Sequence, residues 1–199
     1  MIAIIDYGAG NLKSVKKAFD FLKVESVIVS NIEDLAQAKK IVLPGVGAFG
    51  AAVGKLHESD FFNSIQNWIG ENRPFLGICL GMQLLLESSS ESEGVTGLAI
   101  FRGKNLRFTN GKVPQIGWNK IQIQKDSNLL KNIKSGSYFY FLHGYYVAPS
   151  DQSIITATTD YGISYPSVIE SGNVFAVQFH PEKSGDVGLT LLKNWVELC

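Results

Sequence analysis

The sequence predicts an α/β domain with a mostly parallel central sheet flanked by helices and an additional antiparallel β part. Three observations carry this. The first half alternates apolar strand-like runs with helical periodicity. The second half is dominated by strand-like runs. No repeat or linker divides the chain beyond the small polar loop Ser88 to Glu93, so residues 1–199 read as one domain.

The elements follow in order. Met1 to Asp6 is a short apolar run that predicts a buried strand, and Tyr7-Gly8-Ala9-Gly10 predicts a loop. Leu12, Val15, Phe19 and Leu22 then recur at helical spacing, with Asn11 as the expected cap. Ser26 to Ser30 and Lys40 to Leu43 read as strands, the second broken by Pro44-Gly45-Val46-Gly47. Helical spacing returns at Phe62, Ile65 and Ile69, with Asp60 as candidate cap. Phe75 to Ile78 reads as a strand that runs through Cys79 into a helix carrying Leu80, Leu84 and Glu87. Strands are then expected at 105–108, 118–124, 138–143, 153–159, 166–171 and 174–179, with a hairpin turn at 170–173. A last helix carries Leu189, Leu192 and Val196.

Composition excludes several function classes. The 18 Lys+Arg balance 18 Asp+Glu, leaving no electrostatic footprint for nucleic acid. The longest apolar stretch, Phe75 to Leu86, contains Gln83 and falls short of the roughly 20 residues of a membrane helix. The start MIAIID shows no basic region or cleavage site, so no signal peptide is expected. Cys79 and Cys199 lie far apart in sequence, which suits a reducing cytoplasm better than a disulfide framework. The 3 histidines are scattered and no Cys-x-x-Cys occurs, so no metal site is expected.

The strongest local signal is Gly77-Ile78-Cys79-Leu80-Gly81, a Gly-x-Cys-x-Gly turn between a predicted strand and a predicted helix. Its serine counterpart is the nucleophile elbow of hydrolases. The sharp turn needs small flanking residues, exposes the nucleophile and seats it at a helix N-terminus, where the dipole favours a thiolate. The N–H after the nucleophile points where an oxyanion would sit. A buried structural cysteine is the competing reading of the pentapeptide.

A thiol nucleophile needs a base, and the base needs an orienter. Pro181 restricts His180 to extended backbone, and residues two apart in extended chain share a side. Glu182 is thereby placed to reach the imidazole of His180. Taken alone, the segment also reads as an exposed histidine beside a solvated glutamate. His57 reads as exposed, and His143 as a packed, hydrogen-bonded residue.

Gly-Ile-Cys-Leu-Gly-Met-Gln with a distant His-Pro-Glu resembles the class I (triad) glutamine amidotransferases. Four further segments, at 5–12, 43–49, 117–119 and 178–185, resemble one branch of that family, the glutaminase subunits of imidazole glycerol phosphate synthases. The motifs span residues 5 to 185.

The resemblance implies a flavodoxin-like fold and hydrolysis of L-glutamine to glutamate and ammonia, with no cofactor. Cys79 would attack the side-chain amide to form a glutamyl thioester, His180 would carry the proton to the leaving ammonia, and Glu182 would orient His180. Oxyanion donors would come from Leu80 and the loop Gly45, Val46 and Gly47, whose glycines would permit unusual dihedrals. Gln83 and Glu91 match substrate-binding positions, Glu93 being the alternative to Glu91, and Tyr145 falls in the segment lining the glutamine pocket. Two departures stand out: Gly144 where the family usually has Ser or Thr, and Gln115 where it often has His, expected to be an interface-side change.

The chain has no room for an acceptor domain, and ammonia freed into neutral water is mostly protonated. The resemblance therefore implies a heterodimer with a (β/α)8-barrel cyclase subunit that makes imidazole glycerol phosphate and aminoimidazole carboxamide ribotide in histidine biosynthesis. Asn11, Trp118, Asn119, Tyr140 and Lys183 match interface positions. Trp118 is the leading anchor, with a core tryptophan as the other reading. A paralogue feeding a surface-sugar amidotransferase shares these motifs. A cysteine peptidase, a γ-glutamyl hydrolase and a non-enzymatic thiol-sensing module remain as readings from other classes.

Overall fold

The computed structural model describes residues 1–199. Elements run in the order β1 (Ile2–Ile5), α1 (Leu12–Phe21), β2 (Ser26–Val29), β3 (Lys40–Gly45), α2 (Phe49–Glu58), α3 (Phe61–Gly70), β4 (Phe75–Cys79) and α4 (Leu80–Gln83). There follow β5 (Leu86–Ser89), β6 (Phe101–Arg107), β7 (Gln115–Lys120), β8 (Gln122–Ile123), β9 (Tyr138–His143) and β10 (Tyr145–Pro149). The chain ends with β11 (Ile155–Asp160), β12 (Ser164–Ser171), β13 (Val174–Val177) and α5 (Gly185–Leu198).

An 8-stranded sheet has the order β2-β1-β3-β4-β13-β12-β11-β8. From β2 to β13 the pairings are parallel, and from β13 to β8 they are antiparallel. A 3-stranded sheet, β10-β6-β5, and the antiparallel pair β7-β9 complete the β part. This is the α/β architecture expected from the alternation in the first half and the strand-rich second half.

The parallel strands β1, β3, β4 and β13 bury both faces, which is why they read as continuous apolar runs. Alternate residues feed two cores. Ala3, Ile5, Ile41 and Leu43 pack with Phe49, Leu56, Phe61 and Ile65 of α2 and α3. Ile2, Ile4, Val42 and Ile78 pack with Val15, Phe19, Leu191 and Trp195 of α1 and α5. The sheet is thus sandwiched between two helical layers, and the C-terminal ends of its parallel strands form one edge, where ligands bind in open α/β sheets.

Several local expectations are corrected. Pro44 and Gly45 do not end β3; they continue it, pairing with Ile78 and Cys79. Proline is tolerated there close to the end of the strand. The helix after Cys79 is a single turn, and the chain continues as β5 at the edge of the separate 3-stranded sheet. Leu84, Leu85 and Leu86 are all buried, so their apolar run carried no period to distinguish helix from strand. Helix α2, Phe49–Glu58, precedes the helical spacing read at Phe62, Ile65 and Ile69, which belongs to α3; its own buried face is Phe49, Ala52, Val53 and Leu56. Neither Asn11 nor Asp60 caps with its side chain; Asn11 offers its backbone carbonyl to Ser14 and Val15 instead.

Candidate active site

Cys79 is the last residue of β4, and its backbone takes φ 56° and ψ −109°. That region is strained for a residue bearing a Cβ, and the surrounding packing must hold it. The flanking glycines supply the room. A Cβ on Gly81 would lie 1.9 Å from the Leu43 carbonyl oxygen, and one on Gly77 would lie 2.7 Å from the Gly81 carbonyl oxygen. The turn can fold only with hydrogen at both positions. Because α4 is one turn long, it offers less dipole than the longer helix expected from the sequence. The positive charge near the sulfur has to come chiefly from elsewhere.

His180 supplies it. Its Nδ1 lies 2.9 Å from Glu182 Oε1, with side-chain exposures of only 2% and 1%. Pro181 opens a short 3₁₀ turn, 181–183, that carries Glu182 back under the ring. Burial works against a charge on His180, but Cys79 and Glu182 outweigh it and raise the imidazole to about 10. With Nδ1 committed to Glu182, the other nitrogen, Nε2, is buried and unpaired within the chain. It is the nitrogen left to exchange a proton.

Cys79 opens onto a cavity of about 380 Å³ lined also by Val46, Gly47, Leu80, Gln83, Glu91 and Tyr145. The oxyanion and substrate candidates are therefore gathered around the sulfur, apart from Gly45, which lies just outside the lining. Gly45 pairs with Cys79 across the sheet. It takes no positive φ here; its constraint is spatial, since a Cβ would fall 2.7 Å from the Tyr7 hydroxyl and 2.8 Å from Leu80 Cβ. Gly47 does use one, φ 105°. The N–H groups of Val46 and Gly47 make no hydrogen bond within the chain.

Glu91, not the exposed Glu93, faces the cavity. Its Oε2 accepts from the Phe49 N–H at 2.7 Å, and Ser92 Oγ accepts from the Gly50 N–H at 3.0 Å. The loop carrying Glu91 and Ser92 is thereby tied to the first turn of α2, which follows the Gly45–Gly47 segment after Ala48. Gln83 is buried, and its Nε2 donates to the Tyr145 carbonyl at 2.9 Å and to Gln178 Oε1 at 3.1 Å. Its own Oε1 is left for a ligand. A larger groove of about 670 Å³, around Ile123–Ile133 and Glu170, lies towards the opposite edge of the sheet and contains neither cysteine nor histidine.

Trp118 is 57% exposed, which removes the core reading. It stands across from Tyr140 on the β7-β9 pair, ring centroids 6.1 Å apart, and Lys183 Nζ sits over the Tyr140 ring at 5.8 Å. Ile116 and Tyr138 extend this exposed face. Asn119 points to the other side of the ribbon and donates to the Asp160 carbonyl at 2.8 Å. Asn11 is half-buried at the start of α1, which packs against the turn carrying Lys183.

Gln115 is not an interface-side residue. It is buried on the inner side of β7, where its amide oxygen and the Tyr165 hydroxyl are 2.9 Å apart. That hydroxyl is 3.2 Å from His143 Nε2, and His143 Nδ1 is 2.8 Å from the Tyr145 carbonyl. Burial, with the charge on His180 adding to it, lowers His143 to about 4, so its ring is neutral at ordinary pH despite the Tyr145 bond.

Sequence reasoning passed over two residues at the site. Gln178 is fully buried, with Nε2 at 3.7 Å from Cys79 Sγ. The strand expected over 174–179 ends at Val177, and Gln178 lies in the bend that follows, two residues before His180; the two-residue step was the signal that could have found it. Tyr7 has a buried, unpaired hydroxyl, and burial, followed by the field of Cys79, holds its proton firmly. Nothing in the sequence distinguishes it from a loop tyrosine.

Residues 3–198 match the family model for glutamine amidotransferase class-I. The chain is 49% identical over 200 residues to the imidazole glycerol phosphate synthase subunit HisH of Chlorobaculum tepidum, covering 99% of this chain and 100% of that one. It is 50% identical over 198 residues to the protein of the same name from Pyrococcus furiosus, covering 99% and 98%. Among solved structures, a glutamine amidotransferase aligns with a TM-score of 0.78 at 18% identity, covering 98% of this chain and 100% of that one. That likeness speaks for the fold.

Proposed function

The chain belongs to the class-I glutamine amidotransferase family, and from that premise we propose that it is the glutaminase subunit of an imidazole glycerol phosphate synthase. The observation that carries the reaction is the buried His180–Glu182 pair beside Cys79, at the wall of a cavity that also holds Gln83 and Glu91. The near-full-length relatives named as synthase subunits support the assignment to that synthase.

The Cys79 thiolate attacks the side-chain amide carbon of L-glutamine. The carbonyl electrons move to oxygen, where the free N–H groups of Val46 and Gly47 and the N–H of Leu80 are the candidate donors. The intermediate collapses as the C–N bond breaks, and His180 gives its proton to the departing ammonia. A glutamyl thioester remains. Water, giving a proton to His180, attacks it and releases glutamate, which restores the thiolate–imidazolium pair. Glu182 keeps the ring in one orientation and favours its charged form. Glu91 has one oxygen tied to Phe49, and the other is available to the substrate ammonium. Gln83 and Tyr145 shape the pocket.

Ammonia must reach an acceptor before it is protonated in water. The exposed Trp118–Tyr140–Lys183 face is the docking surface we assign to a (β/α)8-barrel cyclase subunit, in keeping with the rule that exposed aromatic clusters mark interfaces. No helix is long and apolar enough to cross a membrane. The test is glutamate release from glutamine, with and without a barrel cyclase and its ligand. Wild type should be active, and more so with the partner; Cys79→Ala should be inactive in both states. Release that persists in Cys79→Ala would overturn the assignment of the nucleophile.

A further inference from the structure

The direction of every hydrogen bond between the pocket and the nucleophile follows from one fixed point, the backbone carbonyl of Tyr145. A carbonyl only accepts. The Gln83 atom 2.9 Å from it is therefore the amide nitrogen, and that same nitrogen faces Gln178 at 3.1 Å. The Gln178 atom receiving it must be the oxygen. The Gln178 amide nitrogen is then turned to Cys79, 3.7 Å from Sγ. Neither side-chain amide can flip without setting donor against donor or acceptor against acceptor at buried atoms, Gln178 being wholly shut off from solvent.

We propose that Gln178 is a further catalytic residue, whose amide N–H donates to Cys79 Sγ and stabilises the thiolate, with Gln83 as the positioning residue that imposes the amide's orientation. The role in turnover rests on the glutaminase reading above. The neutral thiol has an outlet of its own, the Leu142 carbonyl at 3.7 Å from Sγ. Ionisation removes the S–H donor and that bond, while the bond from Gln178 strengthens because its acceptor becomes an anion. Gln178 thus favours the thiolate over the neutral thiol. His180 supplies charge and a proton; Gln178 supplies a neutral donor that cannot leave with the proton.

The test is the rate of alkylation of Cys79 by iodoacetamide at neutral pH in the full chain, with Cys199 as internal reference. Gln178→Met keeps the volume and removes the donor; we expect about tenfold slower alkylation of Cys79, loss of thiolate absorbance, and an unchanged rate at Cys199. Gln178→Glu keeps the shape and the bond from Gln83 but turns an acceptor to the sulfur, so Cys79 should react at least as slowly. Should Gln178→Met fail to fold, Gln178→Glu decides alone. A folded variant alkylated at the wild-type rate would overturn the proposal. In turnover, Gln178→Met should lower kcat with little change in KM. Absence of glutamate release from wild type would count against the glutaminase reading and leave the alkylation result standing, so the two failures are separable.

Discussion

His180 Nδ1 and Glu182 Oε1 are 2.9 Å apart, and neither side chain is more than 2% exposed. An ion pair shut away from water in this way loses little to screening, and breaking it leaves a buried partner without its counter-charge. Glu182 does not line the cavity, so it acts on the reaction only through the ring. Glu182→Gln should therefore lower kcat by about a hundredfold while KM for glutamine barely moves. Steady-state kinetics with the assembled synthase would check this, and a rise in KM of similar size would place Glu182 on the substrate.

Two histidines shape the pH dependence of stability in opposite directions. His180 is raised from 6.5 to about 10, so its contribution is complete below pH 6.5 and is lost as pH rises through about 10. His143 is lowered from 6.5 to about 4, so its contribution is complete above pH 6.5 and is lost as pH falls through about 4. Urea midpoints across this range should fall on both sides of pH 6.5. His180→Gln should flatten the alkaline limb and His143→Gln the acidic one.

The elbow should be intolerant of a single methyl group. Gly81→Ala places a Cβ 1.9 Å from the Leu43 carbonyl oxygen and should cost about 3 kcal/mol or more. Gly54, exposed in α2 with no atom within 4 Å of the place a methyl would take, is the control. Gly54→Ala should stabilise by roughly 0.5–1 kcal/mol. Chemical denaturation of both variants measures the contrast.

Tyr165→Phe removes the hydroxyl shared by Gln115 and His143. Both partners are buried, so the loss should cost about 1–3 kcal/mol. The Tyr145 carbonyl, which His143 helps to hold, lines the glutamine pocket, so KM should rise as well. Denaturation and steady-state kinetics on this variant test both effects.

Trp118→Ala should leave the melting temperature of the isolated chain close to that of wild type, since the ring is already 57% exposed. Binding of the barrel partner should weaken at least about tenfold. Titration calorimetry together with a thermal melt distinguishes these outcomes; a large fall in melting temperature would make Trp118 a structural residue instead.

The parts of the site that were legible in the sequence are those whose geometry is local. The elbow glycines and the proline after His180 act over one turn of chain, and the structure places them as the spacing suggests; Glu182 does reach the ring, but from the 3₁₀ turn 181–183 and not along an extended chain. The helix expected after Cys79 was misread because Leu84–Leu86 is buried on every side and has no polar face to mark a period. Gln115 was placed on the wrong side, and Gln178 was passed over, for a different reason. Their partners, Tyr165 and Gln83, are 50 and 95 positions away in the chain, and a buried amide is recognisable only once its partner is in place.

The continuation of β3 through Pro44 and Gly45 beside Cys79 has a consequence for how the protein acquires activity. The candidate oxyanion loop and the nucleophile are successive extensions of two neighbouring strands, so the gap between them is the interstrand spacing of a parallel sheet. A slip of one residue between β3 and β4 would turn the side chains of one strand from one core into the other, where the packing does not fit them. Misaligned chains would thus be discarded by core packing before they could present a mispositioned thiol, and quality control of the site would be delegated to the folding of the sheet.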